Sequence, residues 1–267
     1  MQYKTIILEK KNGIATLTLN RPETLNAVNA EMAEETTDAI DEVGKDENTR
    51  VLIVTGAGRS FSSGVDVREL ANIAEGASGT IIERINQGKP TILTIPLHLR
   101  RLDKPVIAAV NGIAMGASFC IALACDLRIA SERAQFSMAF ILRGLIPDTG
   151  GTFFLPKLVG SAKACELAFT GDIIDANEAE RIGLINKVVS HEELMKTTAD
   201  LANKLLKRPP ITLKYTKRAI YKGLAEADLP SHLDYEFSLT RLCMDTEDFK
   251  EGVRAFQEKR EPTFKGR

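Results

Sequence analysis

Short apolar segments alternate with helical patterns through the first two thirds of the chain, and this alternation constrains the fold most strongly. Residues 51–55 and 106–110 are apolar runs, interrupted only by Thr55 and bounded by polar, proline or glycine residues, which is typical of strands buried on both faces. Residues 30–43 instead carry apolar side chains at helical spacing, with Asn29 as a candidate N-cap. Strands and helices that alternate in this way predict an α/β architecture.

The remaining elements of this α/β part follow from local signals. The dipeptide Asn12-Gly13 lies between two strand-like segments, which predicts a tight hairpin turn. The other predicted elements are hairpin strands at 4–9 and 13–20, a helical region over 66–102 interrupted near Gly88, a helix over 117–125, and short strands near 127–130 and 135–137.

Strand signals disappear from about residue 191 onward. Four consecutive amphipathic helices are predicted there, over 191–207, 211–225, 230–243 and 246–258. We therefore expect an α/β core over residues 1–195 and a helical region over 196–267. A helical tail that follows an α/β body often packs on a neighbouring subunit, so this region predicts oligomerisation.

Composition excludes several classes of function. The formal net charge of the 267 residues is −1, so no global charge favours nucleic acid or an anionic membrane. A basic stretch between Lys204 and Lys222 is interpreted as a solvated helix face. No apolar run reaches the roughly 18 residues of a membrane span, and the N-terminus lacks the pattern of a secretory signal. The four cysteines form no CxxC pair and the three histidines are scattered, which predicts reduced core thiols, no metal site and a cytoplasmic protein.

The glycine-rich loops fit neither common nucleotide motif. The third glycine of a GxGxxG motif that starts at Gly56 would fall on Phe61, and no P-loop sequence is present. Two other loops, at 62–66 and 116–118, place small residues just before predicted helix starts. Free backbone N–H groups at such places can bind an oxygen that gains negative charge. Spacing alone favours the alternative interpretation, in which these glycines only form tight turns.

Taken together, an ordered series of segments resembles the crotonase (enoyl-CoA hydratase/isomerase) superfamily over nearly the whole chain. The matching segments are RPETLNA (21–27), FSSGVD (61–66), KPVIAAVNG (104–112), GA (116–117), ACDLR (124–128), GLIPDTGGT (144–152), AERIGLIN (179–186), EGVRAF (251–256) and EKR (258–260). The resemblance implies a spiral of ββα units followed by a C-terminal helical trimerisation region. It also implies a homotrimer or a dimer of trimers, and an acyl-coenzyme A substrate with no separate cofactor.

The chemistry that the resemblance implies is the stabilisation of a thioester enolate by two backbone N–H groups. By position these belong to Val65 and Ala117, whose side chains are immaterial to that role. The residues implied to line the acyl-CoA site are Ala27, Ser63, Gly64, Asp66, Val67, Arg68, Gly116, Cys120 and Phe140. Phe256 and Lys259 are implied to close the adenine pocket of a neighbouring subunit. Arg68 either meets a phosphate group or is a solvated arginine at a helix start.

The residue types at the catalytic positions favour isomerisation over hydration. Hydratases of this family use two glutamates, and the matching positions hold Cys120 and Phe140. One acid remains nearby, Asp148, which corresponds to a carboxylate of double-bond isomerases and of the ring-opening isomerases of phenylacetate degradation. The alternative interpretation of Asp148 is a helix cap.

A single carboxylate suffices for an allylic proton shift, and apolar neighbours are expected to raise its pKa. The sequence therefore predicts a 3-enoyl-CoA to 2-enoyl-CoA isomerase or a ring-opening isomerase of the phenylacetate type. The alternatives left open are a hydratase, a thioester or C–C bond hydrolase of the same family, a non-catalytic acyl-CoA binding protein, and an RNA-binding member of the family.

Overall fold

Two stacked sheets form the centre of the protein, whose computed structural model describes residues 3–267. The strands are β1 (Ile6–Lys11), β2 (Ile14–Leu19), β3 (Val51–Gly56), β4 (Ser60–Ser62), β5 (Val106–Val110), β6 (Ile113–Met115), β7 (Leu127–Ser131), β8 (Gln135–Ser137), β9 (Ile174–Asp175) and β10 (Lys187–Val189). The larger sheet has the order β1-β2-β3-β5-β7-β10, in which only β1 runs antiparallel to its neighbour. The smaller sheet has the order β4-β6-β8-β9, with β9 antiparallel.

The chain winds as a spiral of ββα units. Each turn adds one strand to the larger sheet, a short strand to the smaller sheet, and then a helix. The helices are α1 (Ala30–Lys45), α2 (Val67–Ala74), α3 (Ile81–Asn86), α4 (Ile95–Arg101), α5 (Ala117–Ala124), α6 (Gly151–Thr170), α7 (Ala176–Arg181), α8 (Leu194–Leu206), α9 (Pro210–Gly223), α10 (Leu229–Met244) and α11 (Glu247–Glu258). The predicted α/β class with a spiral of ββα units is confirmed.

Local sequence explains several of these elements. Asn12 and Gly13 both have positive φ, 52° and 82°, as the turn between paired strands with right-handed twist requires. Every residue of β3 is buried, in agreement with its apolar sequence. The side chain of Asn29 accepts a hydrogen bond from the N–H of Met32 and caps α1.

The structure corrects the region that was predicted as one interrupted helix over 66–102. It contains three short helices, α2, α3 and α4, and a second break that includes Gly76 and Gly79, both at positive φ. The three-residue strands β4 and β6 were not predicted either. Both of these strands lead directly into the loops of the site described below.

The four predicted C-terminal helices are present as α8 to α11, within a few residues of their expected ends. Leu194 and Ala202 of α8 are buried against Val51, Ile53 and Ile107 of the larger sheet, so this helix covers the core. The division of the chain at residue 195 and the assembly of the helical region into oligomers stay predictions.

Two smaller expectations concern cysteines and membranes. Cys120 and Cys125 are buried as predicted, but Cys165 is exposed and Cys243 is half-buried, so the prediction of core thiols is wrong for these two. Within residues 3–267, no helix is both long enough and apolar enough to cross a bilayer.

Candidate active site

Two loops meet at the N-terminus of α5. Residues 62–66 follow β4, and residues 115–117 lead from β6 into α5. Gly64 lies at the contact, because a Cβ atom built on it would be 2.8 Å from the carbonyl oxygen of Met115 and 3.8 Å from the nitrogen of Ala117. Gly64 also has a φ of +99°, which side-chain-bearing residues rarely adopt. Close approach of the two loops therefore depends on glycine at this position.

The backbone N–H groups of Val65 and Ala117 have no acceptor within the described chain. Val28 pairs with the residues on either side of Val65: its N–H donates to Gly64 and its carbonyl accepts from Asp66. The N–H of Val65 itself therefore points away from Val28. Ala117 is the first residue of α5, where N–H groups lack an intrahelical partner. Both groups are available to an external oxygen.

Ser118 holds the two loops in register. Its hydroxyl contacts the carbonyl oxygens of Ser62 at 2.5 Å and Met115 at 2.8 Å, and it accepts the N–H of Met115 at 3.0 Å. Because Ser118 is completely buried, these contacts link β4, β6 and α5 away from water. Nothing in the sequence pattern distinguished Ser118 from the other small residues beside it.

A third loop, over residues 21–28, covers the same region. The buried side chain of Asn26 donates to the carbonyl oxygens of Ala57 and Ser60 at 2.9 Å each and accepts the N–H of Arg21. The N–H of Ser63 donates to the carbonyl oxygen of Leu25 at 3.0 Å. The structure thus brings residue 27 of this loop, Ala27, to the segment that contains Gly64.

Asp66 is occupied by two arginines. Its carboxylate, whose side chain is only 5% exposed, accepts from Arg21 at 3.1 Å and from Arg68 at 3.0 Å, and it also caps α2. The hydrogen bonds from Arg68 are the largest influence on the pKa of Asp66, which is lowered to about 2. The Arg68 side chain is 71% exposed, so its outer face remains open to solvent, as does Val67.

Cys120 and Phe140 line the other side of the α5 N-terminus. The buried thiol of Cys120 lies 3.6 Å from the carbonyl oxygen of Asp148. Burial, and secondarily the nearby carboxylate of Asp148, raises the pKa of this thiol, so it is a neutral group. The buried ring of Phe140 lies 3.9 Å from the position of a Cβ atom built on Gly116. Neither side chain can accept a proton as a carboxylate does.

Asp148 is half-buried, and burial raises the pKa of its carboxyl group, as expected from the sequence. The opposing contribution is a hydrogen bond of 2.7 Å from the Thr149 hydroxyl. The N-cap of α6 is Gly150, and no side chain caps this helix. Within residues 3–267 the Asp148 carboxylate accepts no backbone N–H, so its geometry does not fit the helix-cap interpretation. Of the apolar neighbours that the sequence suggested, Phe140 is buried, whereas Leu145 is 42% and Ile146 75% exposed in the protomer.

A small, shallow pocket lies against Val65. Its apolar lining includes Val28, Ile81 and Ile92, and its charged lining consists of Glu69 and Arg84. The Arg84 guanidinium is already bound to Glu34 and to the carbonyl oxygen of Pro90. Nothing in the sequence pattern had located this pocket.

Phe256 and Lys259 lie at the end of α11, outside this cluster. Phe256 is 85% exposed, and Lys259 ends the helix in a left-handed conformation. No hydrogen bond within the described residues links either of them to the other candidate residues. Their use by a neighbouring subunit stays a prediction. The described residues also contain no cluster of three potential metal ligands.

The fold and the comparisons with known proteins together define an enzyme of the crotonase superfamily. A family model described as enoyl-CoA hydratase/isomerase matches residues 9–267, and the chain belongs to that family. It is 41% identical to a short-chain-enoyl-CoA hydratase of Clostridium acetobutylicum, over 97% of both chains. It is 39% identical to a 1,2-epoxyphenylacetyl-CoA isomerase of Escherichia coli, over 98% of both chains. The solved structure of an enoyl-CoA hydratase from Bacillus anthracis has a TM-score of 0.90 at 34% identity, and the match covers 99% of this chain and 100% of that one.

Proposed function

We propose that the protein is an enoyl-CoA isomerase that moves the double bond of a 3-enoyl-CoA thioester to the 2-position, with Asp148 as the acid/base. The observation that carries this proposal is a half-buried carboxyl group with a raised pKa. The backbone carbonyl oxygen of the same residue lies 3.6 Å from the thiol of Cys120 on α5, and the Asp148 carboxylate is near enough to raise the pKa of that thiol. The positions at which hydratases of the family hold glutamates are occupied by Cys120 and Phe140 instead.

The oxyanion site consists of the N–H groups of Val65 and Ala117. They hold the thioester oxygen as it gains negative charge, and the dipole of α5 adds to this stabilisation. A donor aimed at such an oxygen contributes roughly 3–4 kcal/mol to transition-state stabilisation. Their freedom from internal acceptors supports this assignment.

Asp148 carries the proton in both steps. Its carboxylate removes a proton from C2, and the electrons move into a dienolate held by the two N–H groups. The protonated carboxyl group then returns the same proton to C4, which leaves the double bond between C2 and C3. A raised pKa suits this role because the group must both accept and release the proton near neutral pH.

The coenzyme A moiety is proposed to run along the loops that contain Ala27, Ser63 and residues 66–68. The outer face of Arg68 is available to a phosphate oxygen, although Asp66 neutralises part of its charge. Proton transfer by a carboxylate and charge stabilisation by N–H groups need no redox group, so we propose that the enzyme uses no cofactor. We also propose a homotrimer or a dimer of trimers in the cytoplasm, in which Phe256 and Lys259 complete the adenine pocket of a neighbouring subunit.

Hydration of a 2-enoyl-CoA is the competing reaction, because the hydratase of Clostridium acetobutylicum is 41% identical to this chain. Hydration needs one group to activate water and another to protonate C2. The buried neutral thiol of Cys120 and the ring of Phe140 supply neither. A spectrophotometric comparison of 3-hexenoyl-CoA isomerisation with crotonyl-CoA hydration separates the two functions. Appreciable crotonyl-CoA hydration that persists in Cys120→Ala would refute the isomerase proposal.

The test of the acid/base is Asp148→Asn, with the exposed Asp172→Asn as the matched control. We expect Asp148→Asn to lose 3-hexenoyl-CoA isomerisation while it remains folded and binds a saturated acyl-CoA. Asp172→Asn should retain wild-type kcat. Full activity of Asp148→Asn would exclude Asp148 as the base. An epoxide-bearing phenylacetyl-CoA belongs in the same assay, because the isomerase of Escherichia coli named for that compound is 39% identical to this chain.

A further inference from the structure

The guanidinium group of Arg100, on α4, lies between two aromatic rings from different parts of the chain. Its central carbon is 4.6 Å from the ring centre of Phe154 on α6 and 3.9 Å from that of Tyr221 on α9. One terminal nitrogen donates to the carbonyl oxygen of Leu123, near the end of α5, at 2.9 Å. Cation–π contacts of a partly desolvated arginine stabilise such an arrangement. Arg100 thus joins α4, α5, α6 and α9 at one point.

The Tyr221 side of this stack is rigidly anchored. The Tyr221 hydroxyl donates to the carboxylate of Asp126 at 2.5 Å, and the other oxygen of Asp126 accepts from Lys217 at 2.9 Å and from the N–H of Val106 at 2.7 Å. Burial, followed by the negative charge of Asp126, raises the pKa of Tyr221, so the phenol remains a neutral donor. Because every oxygen of Asp126 is engaged, α9 has little freedom to move relative to β5.

The Phe154 side of the stack presses on the loop that carries Asp148. A Cβ atom built on Gly150 would be 2.4 Å from the Phe154 ring, so the ring lies directly against this glycine. Thr149, between Asp148 and Gly150, has a φ of 53°. A non-glycine residue in that region of backbone conformation is strained and persists only where its surroundings enforce it. The position of Phe154 is one of the constraints that enforce the positive φ of Thr149.

We propose that Arg100 is a positioning residue for Asp148. The Arg100 guanidinium holds the Phe154 ring against Gly150. The ring thereby fixes Gly150 and the strained Thr149, and these two residues set the direction of the Asp148 carboxylate. This inference rests on the proposed role of Asp148 as the acid/base. A base displaced by about 1 Å can lose on the order of 100-fold in rate, so a contact remote from the substrate controls kcat.

The experiment compares Arg100→Met with Arg101→Met, since Arg101 is the exposed neighbour on the same helix. We expect Arg100→Met to lower kcat for 3-hexenoyl-CoA by about 10- to 100-fold, with KM and the affinity for a saturated acyl-CoA nearly unchanged. Arg101→Met should leave both constants at the wild-type level. Arg100→Lys keeps the positive charge without the planar group and should recover part of the lost kcat.

A double-mutant comparison tests the route through Phe154. Phe154→Leu alone should also lower kcat, and Arg100→Met combined with Phe154→Leu should fall no further than the worse single variant. The inference would be overturned by any of three results: a loss of kcat in the double variant equal to the product of the two single losses, an unchanged kcat in Arg100→Met, or a change in Arg100→Met that affects only KM. If Arg100→Met fails to fold, the test uses Arg100→Lys and Phe154→Leu. An unchanged kcat in both of these variants would likewise overturn the inference.

The result for Asp148→Asn separates this inference from the proposed function. Full activity of Asp148→Asn removes the proposed acid/base. An inactive Asp148→Asn combined with a normal kcat in Arg100→Met refutes only the positioning role.

Discussion

Gly64→Ala is the substitution that most directly tests the paired N–H groups at positions 65 and 117. The new methyl group would lie 2.8 Å from the carbonyl oxygen of Met115, so the two loops must separate by roughly half an ångström to reach an ordinary contact distance. The φ of +99° adds backbone strain. Both effects act on the segment that positions Val65 opposite Ala117.

The expected magnitudes follow from these two effects. Backbone strain of about 1–3 kcal/mol lowers Tm by roughly 2–4 °C per kcal/mol in a chain of this size. Displacement of one N–H donor from the thioester oxygen lowers kcat by about 100- to 1,000-fold, or 2.7–4 kcal/mol. The loss in kcat should therefore be much larger than the loss of stability would suggest.

The assay is 3-hexenoyl-CoA isomerisation, with thermal unfolding of the same preparations. Gly88→Ala is the matched control, because Gly88 also has a positive φ of +66° but no heavy atom within 4 Å of a built Cβ. It should lose stability to a similar degree and keep its kcat. A folded Gly64→Ala protein with wild-type kcat would refute the assignment of these N–H groups to catalysis.

Three other substitutions test charge, pocket size and the C-terminal helices. The pKa of Asp148 is raised in the folded state, so ionisation of its carboxyl group disfavours folding. The contribution of Asp148 to the free energy of unfolding is fully present below the ordinary aspartate pKa and is lost as pH rises through the raised pKa. In urea unfolding, Asp148→Asn should thus be more stable than wild type at pH 7 and gain nothing at strongly acidic pH. Wild-type kcat/KM should fall as pH drops through the raised pKa. A stability difference between Asp148→Asn and wild type that is the same at both pH values would contradict this reasoning. Ile81→Ala enlarges the pocket against Val65 and tests whether the acyl chain enters it. We expect kcat/KM to rise for longer acyl chains relative to 3-hexenoyl-CoA by up to about fourfold per added methylene, or 0.8 kcal/mol. An unchanged chain-length profile would place the acyl group elsewhere. Lys217→Met leaves Asp126, whose side chain is only 16% exposed, without its cation and should cost up to about 3–5 kcal/mol in urea unfolding. Lys214→Met removes a more exposed ion pair and should cost at most about 1 kcal/mol. Equal losses would contradict the role of burial.

Much of the fold could be predicted from the sequence because its signals are local. The turn at Asn12-Gly13, the buried run of β3 and the cap at Asn29 each depend on residues close together in the chain, and each is present as expected. The absence of the two hydratase glutamates was also predicted from the sequence, because Cys120 and Phe140 occupy the matching positions of the family motifs. The strands β4 and β6 were not predicted, because they lie in glycine-rich segments whose sequence indicated loops.

The sequence by itself determined the α/β class, the family resemblance and the residue types available for proton transfer. Only the tertiary structure decided that Gly64 touches the Met115 loop, that Ser118 links β4 to β6, and that Arg100 lies between Phe154 and Tyr221. These contacts join residues far apart along the chain, so their distances depend on how whole elements pack. The sequence predicted that apolar neighbours raise the pKa of Asp148, but only the tertiary structure decided how far its carboxyl group is buried.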